Sequence, residues 1–301
     1  MTISGLYVPL ITPFDDAGEV SLDALATLAN QVLDGGATGL VALGTSGEPF
    51  ALSPSERAAV LDTVAGVARD RGAPLLVGAN TPSEVADVGG RPEVVAALSL
   101  VPPFVRPGED AVVAHFAALP GPVLVYDIPY RTGQYLSVAA LRRLAALPGV
   151  VGVKYSPGGI NDDTIALLSD PPDGFAILGG EDAFIAPLLA LGGHGGILVS
   201  AHLATPCFVE LVSAWHAGDL ARARPLGRQL SRLSAALFAQ PNPAVVKAVL
   251  HAHGRIPTPT VRPPLLPATP SCTAAALAAL AALATLAPVP APVPALLPAR
   301  N

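Results

Sequence analysis

The chain has 301 residues, of which 51% are hydrophobic and 13% charged, and its net charge is −6. This length allows one large α/β barrel or two ordinary domains, and the lack of a basic run argues against a nucleic-acid partner. The longest apolar stretch, residues 274–287, is shorter than the roughly 18 to 20 residues of a membrane span. We therefore expect no membrane partner. With no signal-peptide pattern and no CxxC spacing, we expect a cytoplasmic protein.

Short apolar runs alternate with helical patterns along most of the chain. We predict eight strands, at residues 6–11, 39–43, 74–78, 97–101, 122–126, 150–154, 175–179 and 195–199. Most of these runs are apolar throughout, which is typical of parallel strands that helices cover on both faces. Eight strand–helix units predict a (β/α)8 TIM barrel, an α/β fold. A doubly wound sheet is the alternative, although no G-x-G-x-x-G motif follows the first strand.

The sequence also suggests how the chain is divided. Residues 1–205 form the predicted barrel, and residues 206–267 are predicted to add C-terminal helices to the same domain. Residues 268–301 are rich in Ala and Pro, which predicts a flexible tail. Within the barrel, a Gly-Gly and an Arg-Pro interrupt residues 82–96, so we expect the third helix to be short or broken.

The sixth predicted strand ends at Lys154, one of only two lysines in a chain that has fifteen arginines. In a barrel of this kind the active site lies at the carboxyl ends of the strands. A lysine that points inward there loses hydration, which favours the neutral amine, and a neutral amine can form a Schiff base with a carbonyl compound. The alternative is a structural lysine that turns outward or pairs with a carboxylate.

Other strand ends supply polar groups. The second strand is followed by GTSGE, in which Gly44 and Gly47 let the backbone bend. The amides of such a turn, with the hydroxyls of Thr45 and Ser46, are suitable donors to a carboxylate. Tyr126 ends the fifth strand with a phenol that can relay protons.

Arg131 follows the fifth strand and offers a two-pronged donor to a second carboxylate. The alternative is that Arg131 forms a surface ion pair.

The six histidines form no cluster with the spacing of metal ligands, so we predict no metal site.

A resemblance to one family runs over residues 4–267 and rests on these segments, in order: GLYVPLITPFDDAGEVSLDAL, GTSGE, YDIPYRTG, GVKYSPG, GGEDAFIAPLLALGGHGGILVSAHL and PNPAVVKAVLHAHGRI. The chain is similar to the dihydrodipicolinate synthase and N-acetylneuraminate lyase family of pyruvate-dependent, Schiff-base aldolases. The resemblance implies a lyase that needs no metal or organic cofactor. It also implies a homo-oligomer, a dimer or a tetramer, with pyruvate and an aldehyde as its small-molecule partners.

The resemblance further implies a role for each matching residue. Lys154 forms the Schiff base with pyruvate, and Thr45 and Ser46 hold the pyruvate carboxylate. Thr45 also joins a hydroxyl relay, and Tyr126 is the acid and base at the reacting centre. Ile197, on the eighth strand, lines the pocket and offers its backbone carbonyl.

Arg131 stands where the synthases of the family bind the carboxylate of L-aspartate 4-semialdehyde. It favours the condensation of this aldehyde with pyruvate to 4-hydroxy-tetrahydrodipicolinate, a step of lysine and diaminopimelate biosynthesis. Phe104 is a departure, because the synthases have at this position a relay tyrosine that reaches the neighbouring subunit. A related aldolase for another 2-oxo acid or sugar acid, similar to N-acetylneuraminate lyase or 2-keto-3-deoxy-gluconate aldolase, is therefore the first alternative. A non-catalytic barrel that binds a 2-oxo acid is the second.

Overall fold

The structure is a computed structural model that describes residues 3–285. Eight parallel strands close into a barrel in chain order, with β1 paired to β8. The strands are β1 (Gly5–Pro9), β2 (Gly39–Ala42), β3 (Leu75–Gly78), β4 (Val94–Leu100), β5 (Val123–Asp127), β6 (Val150–Tyr155), β7 (Ala176–Gly179) and β8 (Gly195–Ile197). The predicted (β/α)8 barrel with additional C-terminal helices is confirmed.

Helices surround the barrel and continue beyond it. They are α1 (Leu22–Asp34), α2 (Pro54–Arg71), α3 (Pro82–Gly89), α4 (Glu109–Ala117), α5 (Pro129–Thr132), α6 (Val138–Ala145), α7 (Asp162–Ser169), α8 (Ile185–Ala190), α9 (Ala201–His216), α10 (Leu220–Leu237), α11 (Ala244–Ala252) and α12 (Pro270–Ala284). The predicted interruption makes α3 only 8 residues long. The strand β4 then begins at Val94, earlier than the predicted residue 97, because a turn from Arg91 leads directly into it.

The strands separate two hydrophobic cores. Side chains that alternate along each strand point either into the barrel or toward the helices. On β5, Leu124 and Tyr126 belong to the cluster inside the barrel, whereas Val123 and Val125 belong to the cluster under the helices. The same alternation on β6 turns Tyr155 outward and leaves Lys154 on the inner face, at the carboxyl end of the barrel.

The predicted end of the barrel at residue 205 falls inside a helix. The helix α9 follows β8 and packs against β1 and α1, so it is the barrel's eighth helix. Its backbone is non-helical at Ala204, just before Pro206. Because a proline bends a helix without ending it here, the helix of the last barrel unit extends to His216 rather than to residue 205.

The predicted flexible tail is wrong for residues 270–284. These residues form α12, which Thr269 caps and which packs against α10 and α11. The side chains of Ala276 and Leu283 are fully buried, since small alanine side chains let the helix approach its neighbours closely. The rest of the predicted tail, 286–301, lies outside the described residues. Over the described part of the chain, residues 3–285, we find no helix with both the length and the apolar character of a membrane span.

Candidate active site

A cavity of about 500 Å³ opens at the carboxyl ends of the barrel strands. Its walls come from the turn after β2, from the ends of β5, β6 and β8, from the loop after β7, and from residues 238–242 of the C-terminal helices. It brings together six of the residues predicted for the site: Thr45, Ser46, Tyr126, Arg131, Lys154 and Ile197.

Lys154 lies next to Tyr126 in the register of β5 and β6. Its side chain is buried, with 5% of the residue exposed, and its Nζ lies 4.1 Å from the centroid of the Tyr126 ring. The aliphatic part packs over Gly180, where a Cβ atom would come within 2.7 Å of Lys154 Cε. Among residues 3–285, Lys154 has no hydrogen bond or ion pair. Its amine is therefore held in the cavity beside a phenol ring, with its donors free for a ligand.

The GTSGE segment folds into a single 3₁₀ turn, Thr45–Gly47. The N–H of Gly47 donates to the carbonyl of Gly44 at 2.9 Å, so this amide closes the turn. Thr45 and Ser46 line the cavity, whereas neither glycine does. Gly44 and Gly47, which were also predicted as substrate-binding residues, lie outside the lining of the cavity and shape the turn. Substrate binding by Thr45 and Ser46 stays a prediction.

The helix α5 is a single turn that brings Arg131 to the wall of the cavity. The hydroxyl of Thr132 donates to the carbonyl of Ile128 at 3.2 Å, and Gly133 ends the turn with φ 72°. A left-handed backbone of this kind suits glycine because it has no Cβ. Ile197 lies at the end of β8 and is buried in the wall of the cavity.

Two acidic residues of the site were missed by the sequence reasoning. Glu181 and Asp182 follow β7, and both line the cavity. Burial raises the pKa of Glu181, against the opposing effect of the Lys154 and Arg131 charges. Burial also raises the pKa of Asp182 to about 6, although its Oδ2 accepts the N–H of Ser200 at 2.7 Å. No group of three or more His, Cys, Asp and Glu side chains within residues 3–285 could hold a metal ion.

The C-terminal helices also reach the site, which the strand-end rule does not predict. The segment 238–242 lies between α10 and α11 and closes one side of the cavity. From it, Asn242 Nδ2 donates to Ser46 Oγ at 2.8 Å. The two residues are 196 positions apart, so no local pattern indicates that they meet.

Asp127 lies next to the site but on the other face of the barrel wall. It follows Tyr126 on β5 and pairs in register with Tyr155, which belongs to the core under the helices. Asp127 is 2% exposed, and its Oδ1 is buried without a hydrogen-bond partner among the described residues. Burial raises its pKa to about 7. This carboxyl is therefore a buried group outside the cavity.

Comparison with known proteins shows which family the chain belongs to. The family model described as the dihydrodipicolinate synthetase family matches residues 2–283. The 4-hydroxy-tetrahydrodipicolinate synthase of Neisseria gonorrhoeae is 35% identical over 275 residues, which cover 89% of this chain and 94% of that protein. The 4-hydroxy-tetrahydrodipicolinate synthase 2 of Clostridium acetobutylicum is also 35% identical, over 89% of this chain and 96% of that protein.

Solved structures of dihydrodipicolinate synthases also resemble this barrel. The dihydrodipicolinate synthase of Thermotoga maritima has a TM-score of 0.88 at 27% identity and covers 95% of this chain and 100% of its own. The chloride-inhibited synthase of Acinetobacter baumannii, solved with pyruvate, has a TM-score of 0.86 at 28% identity and covers 96% of this chain and 100% of its own. A monomeric dihydrodipicolinate synthase variant has a TM-score of 0.85 at 26% identity and covers 95% and 97% of the two chains.

Proposed function

Because the chain belongs to the dihydrodipicolinate synthetase family, we propose that it catalyses the 4-hydroxy-tetrahydrodipicolinate synthase reaction. In this reaction a lyase condenses pyruvate with L-aspartate 4-semialdehyde, in lysine and diaminopimelate biosynthesis. The observation that supports it most strongly is the buried Lys154 amine, which faces a cavity and lies 4.1 Å from the Tyr126 ring. A cytoplasmic location is part of the same proposal.

The reaction begins with a Schiff base. The neutral Lys154 amine adds to the keto carbon of pyruvate, and the adduct loses water to form a C=N bond. Loss of a proton from the pyruvate methyl group gives an enamine, whose carbon adds to the aldehyde carbon of the second substrate. The amino group of that substrate then displaces Lys154 from the imine carbon, which closes the ring and frees the lysine. Tyr126 lies close enough to exchange the protons that these steps release and consume.

The pyruvate carboxylate has donors beside the lysine. Thr45 and Ser46 line the cavity and carry hydroxyls that can donate to it. Ile197, in the wall of the same cavity, offers its backbone carbonyl. The two hydroxyls would hold the carboxylate end of pyruvate, which orients its keto carbon toward the amine.

Arg131 and Glu181 favour an acceptor that carries both a carboxylate and an ammonium group. Arg131 can bind a carboxylate with two parallel hydrogen bonds. Glu181 can accept hydrogen bonds from an ammonium group, which would favour its charged form against the burial that raises its pKa. L-aspartate 4-semialdehyde carries both groups, whereas a sugar aldehyde carries neither.

Phe104 favours the first alternative, an aldolase for another 2-oxo acid or sugar acid. The phenylalanine has no hydroxyl to relay protons, and its side chain is 92% exposed on this chain, outside the cavity. The Schiff base at Lys154 does not depend on it. The choice of acceptor therefore separates the two candidates better than the choice of 2-oxo acid.

Exposed apolar side chains near the cavity support a homo-oligomer. Phe104, Val105, Tyr130 and Tyr135 are between 71% and 92% exposed, an unusual exposure for large apolar residues. Their loops are adjacent, since the N–H of Gly108 donates to Gln134 Oε1 at 3.2 Å. We therefore propose that a second copy of the chain covers this surface, in a dimer or in a tetramer of dimers.

A coupled assay with several aldehydes tests the proposed function. We expect turnover of pyruvate with L-aspartate 4-semialdehyde and little turnover with N-acetylmannosamine or D-glyceraldehyde. Turnover with a sugar aldehyde alone would favour the aldolase alternative. The absence of both turnover and a pyruvate adduct would favour a non-catalytic barrel.

The variant Arg131→Met is the matched test of the acceptor site. It should lower kcat/KM for L-aspartate 4-semialdehyde about a hundredfold, because an unpaired carboxylate binds poorly, and leave the half-saturating pyruvate concentration unchanged. A change in the half-saturating pyruvate concentration, with kcat/KM for the aldehyde unchanged, would contradict the role given to Arg131.

A further inference from the structure

We propose that Asn242 and the buried pair Glu48–Lys247 are positioning residues that hold Ser46 in place to receive the carboxylate of the 2-oxo acid. This inference rests on the proposed function, because it takes Ser46 as a donor to that carboxylate. The positioning groups come from both sides of one contact, the turn after β2 and the start of α11. The C-terminal helices would then be part of the substrate site, beyond covering the barrel.

The contact between Asn242 and Ser46 is direct. Asn242 Nδ2 donates to Ser46 Oγ at 2.8 Å, and both residues line the cavity. Since the hydroxyl oxygen accepts this bond, the hydroxyl hydrogen is free to donate to a ligand. The other amide atom, Asn242 Oδ1, is buried and has no hydrogen-bond partner within residues 3–285. The bond to Ser46 is therefore the side chain's one hydrogen bond in the described part of the chain.

Glu48 fixes the other end of the same turn. Its backbone has φ 54° and ψ 41°, a left-handed conformation that a residue with a Cβ adopts only when its surroundings hold it. Its carboxylate is fully buried. Oε1 accepts from Lys247 Nζ at 2.5 Å, and Oε2 accepts from the N–H of Arg262 at 2.8 Å. Both oxygens are thus held from the C-terminal part of the chain, so Glu48 has little freedom to move the turn.

The ammonium group of Lys247 makes more than the one contact with Glu48. It also donates to the carbonyl of Thr260 at 2.8 Å, and its Nζ lies 4.0 Å from the centroid of the Phe14 ring. Burial lowers its pKa to about 8, against the opposing effect of Glu48. Apolar residues of similar size often replace a buried ion pair without loss of stability, so stability alone does not explain the pair. Its place next to the turn that carries Ser46 gives it a second role.

A double-mutant cycle with pyruvate as the probe tests the inference. Pyruvate is titrated while the adduct is trapped with borohydride in wild type, Ser46→Ala, Asn242→Ala and the double variant. Asn242→Ala should raise the half-saturating pyruvate concentration about tenfold, since it weakens the hydrogen bond from the Ser46 hydroxyl to the pyruvate carboxylate. The double variant should need no more pyruvate than Ser46→Ala alone, because Asn242 acts through Ser46. A merely structural role would lower the melting temperature without this coupling.

The variant Glu48→Gln/Lys247→Met tests the pair without leaving one buried charge unpaired. It should remain folded and should raise the half-saturating pyruvate concentration about threefold to tenfold. Arg255→Met is the matched control, because Arg255 also ties the C-terminal segment to the barrel, through Gln31 and the carbonyl of His202, but lies away from the turn. The Arg255→Met variant should lower the melting temperature and leave the half-saturating pyruvate concentration unchanged.

Each outcome decides between the inference and its premise. An unchanged half-saturating pyruvate concentration in Asn242→Ala would overturn the role of Asn242. Additive effects of the two substitutions in the cycle would overturn it as well. An equal rise in Arg255→Met and in the charge-pair variant would overturn the role of the pair. If wild type forms no adduct at all, the proposed function fails and the inference fails with it.

Discussion

The two lysines of the chain are both buried, and they differ in what surrounds the ammonium group. Lys247, at the start of α11, is fully buried and donates to the Glu48 carboxylate at 2.5 Å and to a backbone carbonyl. Lys154, at the end of β6, lies beside the Tyr126 ring and faces the cavity. No hydrogen bond or ion pair within residues 3–285 occupies its amine.

Physical chemistry explains why the two sites serve different purposes. A buried ammonium group costs free energy unless a partner offsets the lost hydration. At Lys247 the ion pair with Glu48 offsets this cost, and the result is a fixed contact between the barrel and α11. At Lys154 the amine lies 4.1 Å from the centroid of the Tyr126 ring and makes no ion pair within residues 3–285. An amine that faces a cavity with its donors free for a ligand is thus a better candidate for chemistry than one that is held in an ion pair.

The largest effect is expected from Lys154→Arg. The guanidinium keeps a positive charge but stays protonated, so it cannot form the Schiff base. Turnover should fall about a thousandfold or more, with little change in the melting temperature. Enzyme assays and thermal unfolding measure the two quantities. Substantial remaining turnover would contradict the role of the lysine.

Lys247→Met should act on stability instead. It leaves Glu48 as a buried charge without its partner, which should lower the free energy of unfolding by about 3–5 kcal/mol. Chemical denaturation measures this change, and adding Glu48→Gln should recover most of it. The folded fraction should still form the pyruvate adduct at Lys154. Complete loss of the adduct in folded protein would break the distinction between the two lysines.

Asp127 sharpens the comparison, because its carboxyl group is buried outside the cavity and its Oδ1 has no hydrogen-bond partner among residues 3–285. Its pKa is raised from 3.8 to about 7 by burial. The folded protein therefore holds this proton where the unfolded chain has lost it, and stability falls as the pH rises from about 4 to 7. Asp127→Asn should remove this loss and stabilise the protein by about 1–3 kcal/mol above pH 7, with little effect below pH 4. A constant difference across this pH range, in denaturation curves, would contradict the assignment.

The smallest effect is expected from Phe104→Tyr, which leaves both lysines untouched. If the missing hydroxyl limits proton transfer in a synthase, condensation should become a few times faster. The rate of pyruvate trapping at Lys154 should not change. Equal condensation rates in the two proteins would remove Phe104 from the account and leave the exposed aromatic patch as its only role.

The strands and much of the site could be predicted from sequence because their signals are local. Continuous apolar runs mark strands that are buried on both faces, and the carboxyl ends of parallel strands must meet, so Lys154, Tyr126 and Ser46 could be placed together. Glu181 could have been found by the same rule at the end of β7. Asn242 could not, because its contact with Ser46 spans 196 residues and depends on how α11 packs. The packing of α12 was missed for a related reason, since its Ala-rich sequence is typical of a helix but says little about which surface that helix covers.

Reductive trapping followed by peptide mapping tests the central claim most directly. The protein is incubated with pyruvate and borohydride, digested, and examined for modified lysines by mass spectrometry. We predict an adduct on Lys154 and none on Lys247, which serves as the control within the same molecule. An unmodified Lys154, or equal modification of the two lysines, would contradict the account.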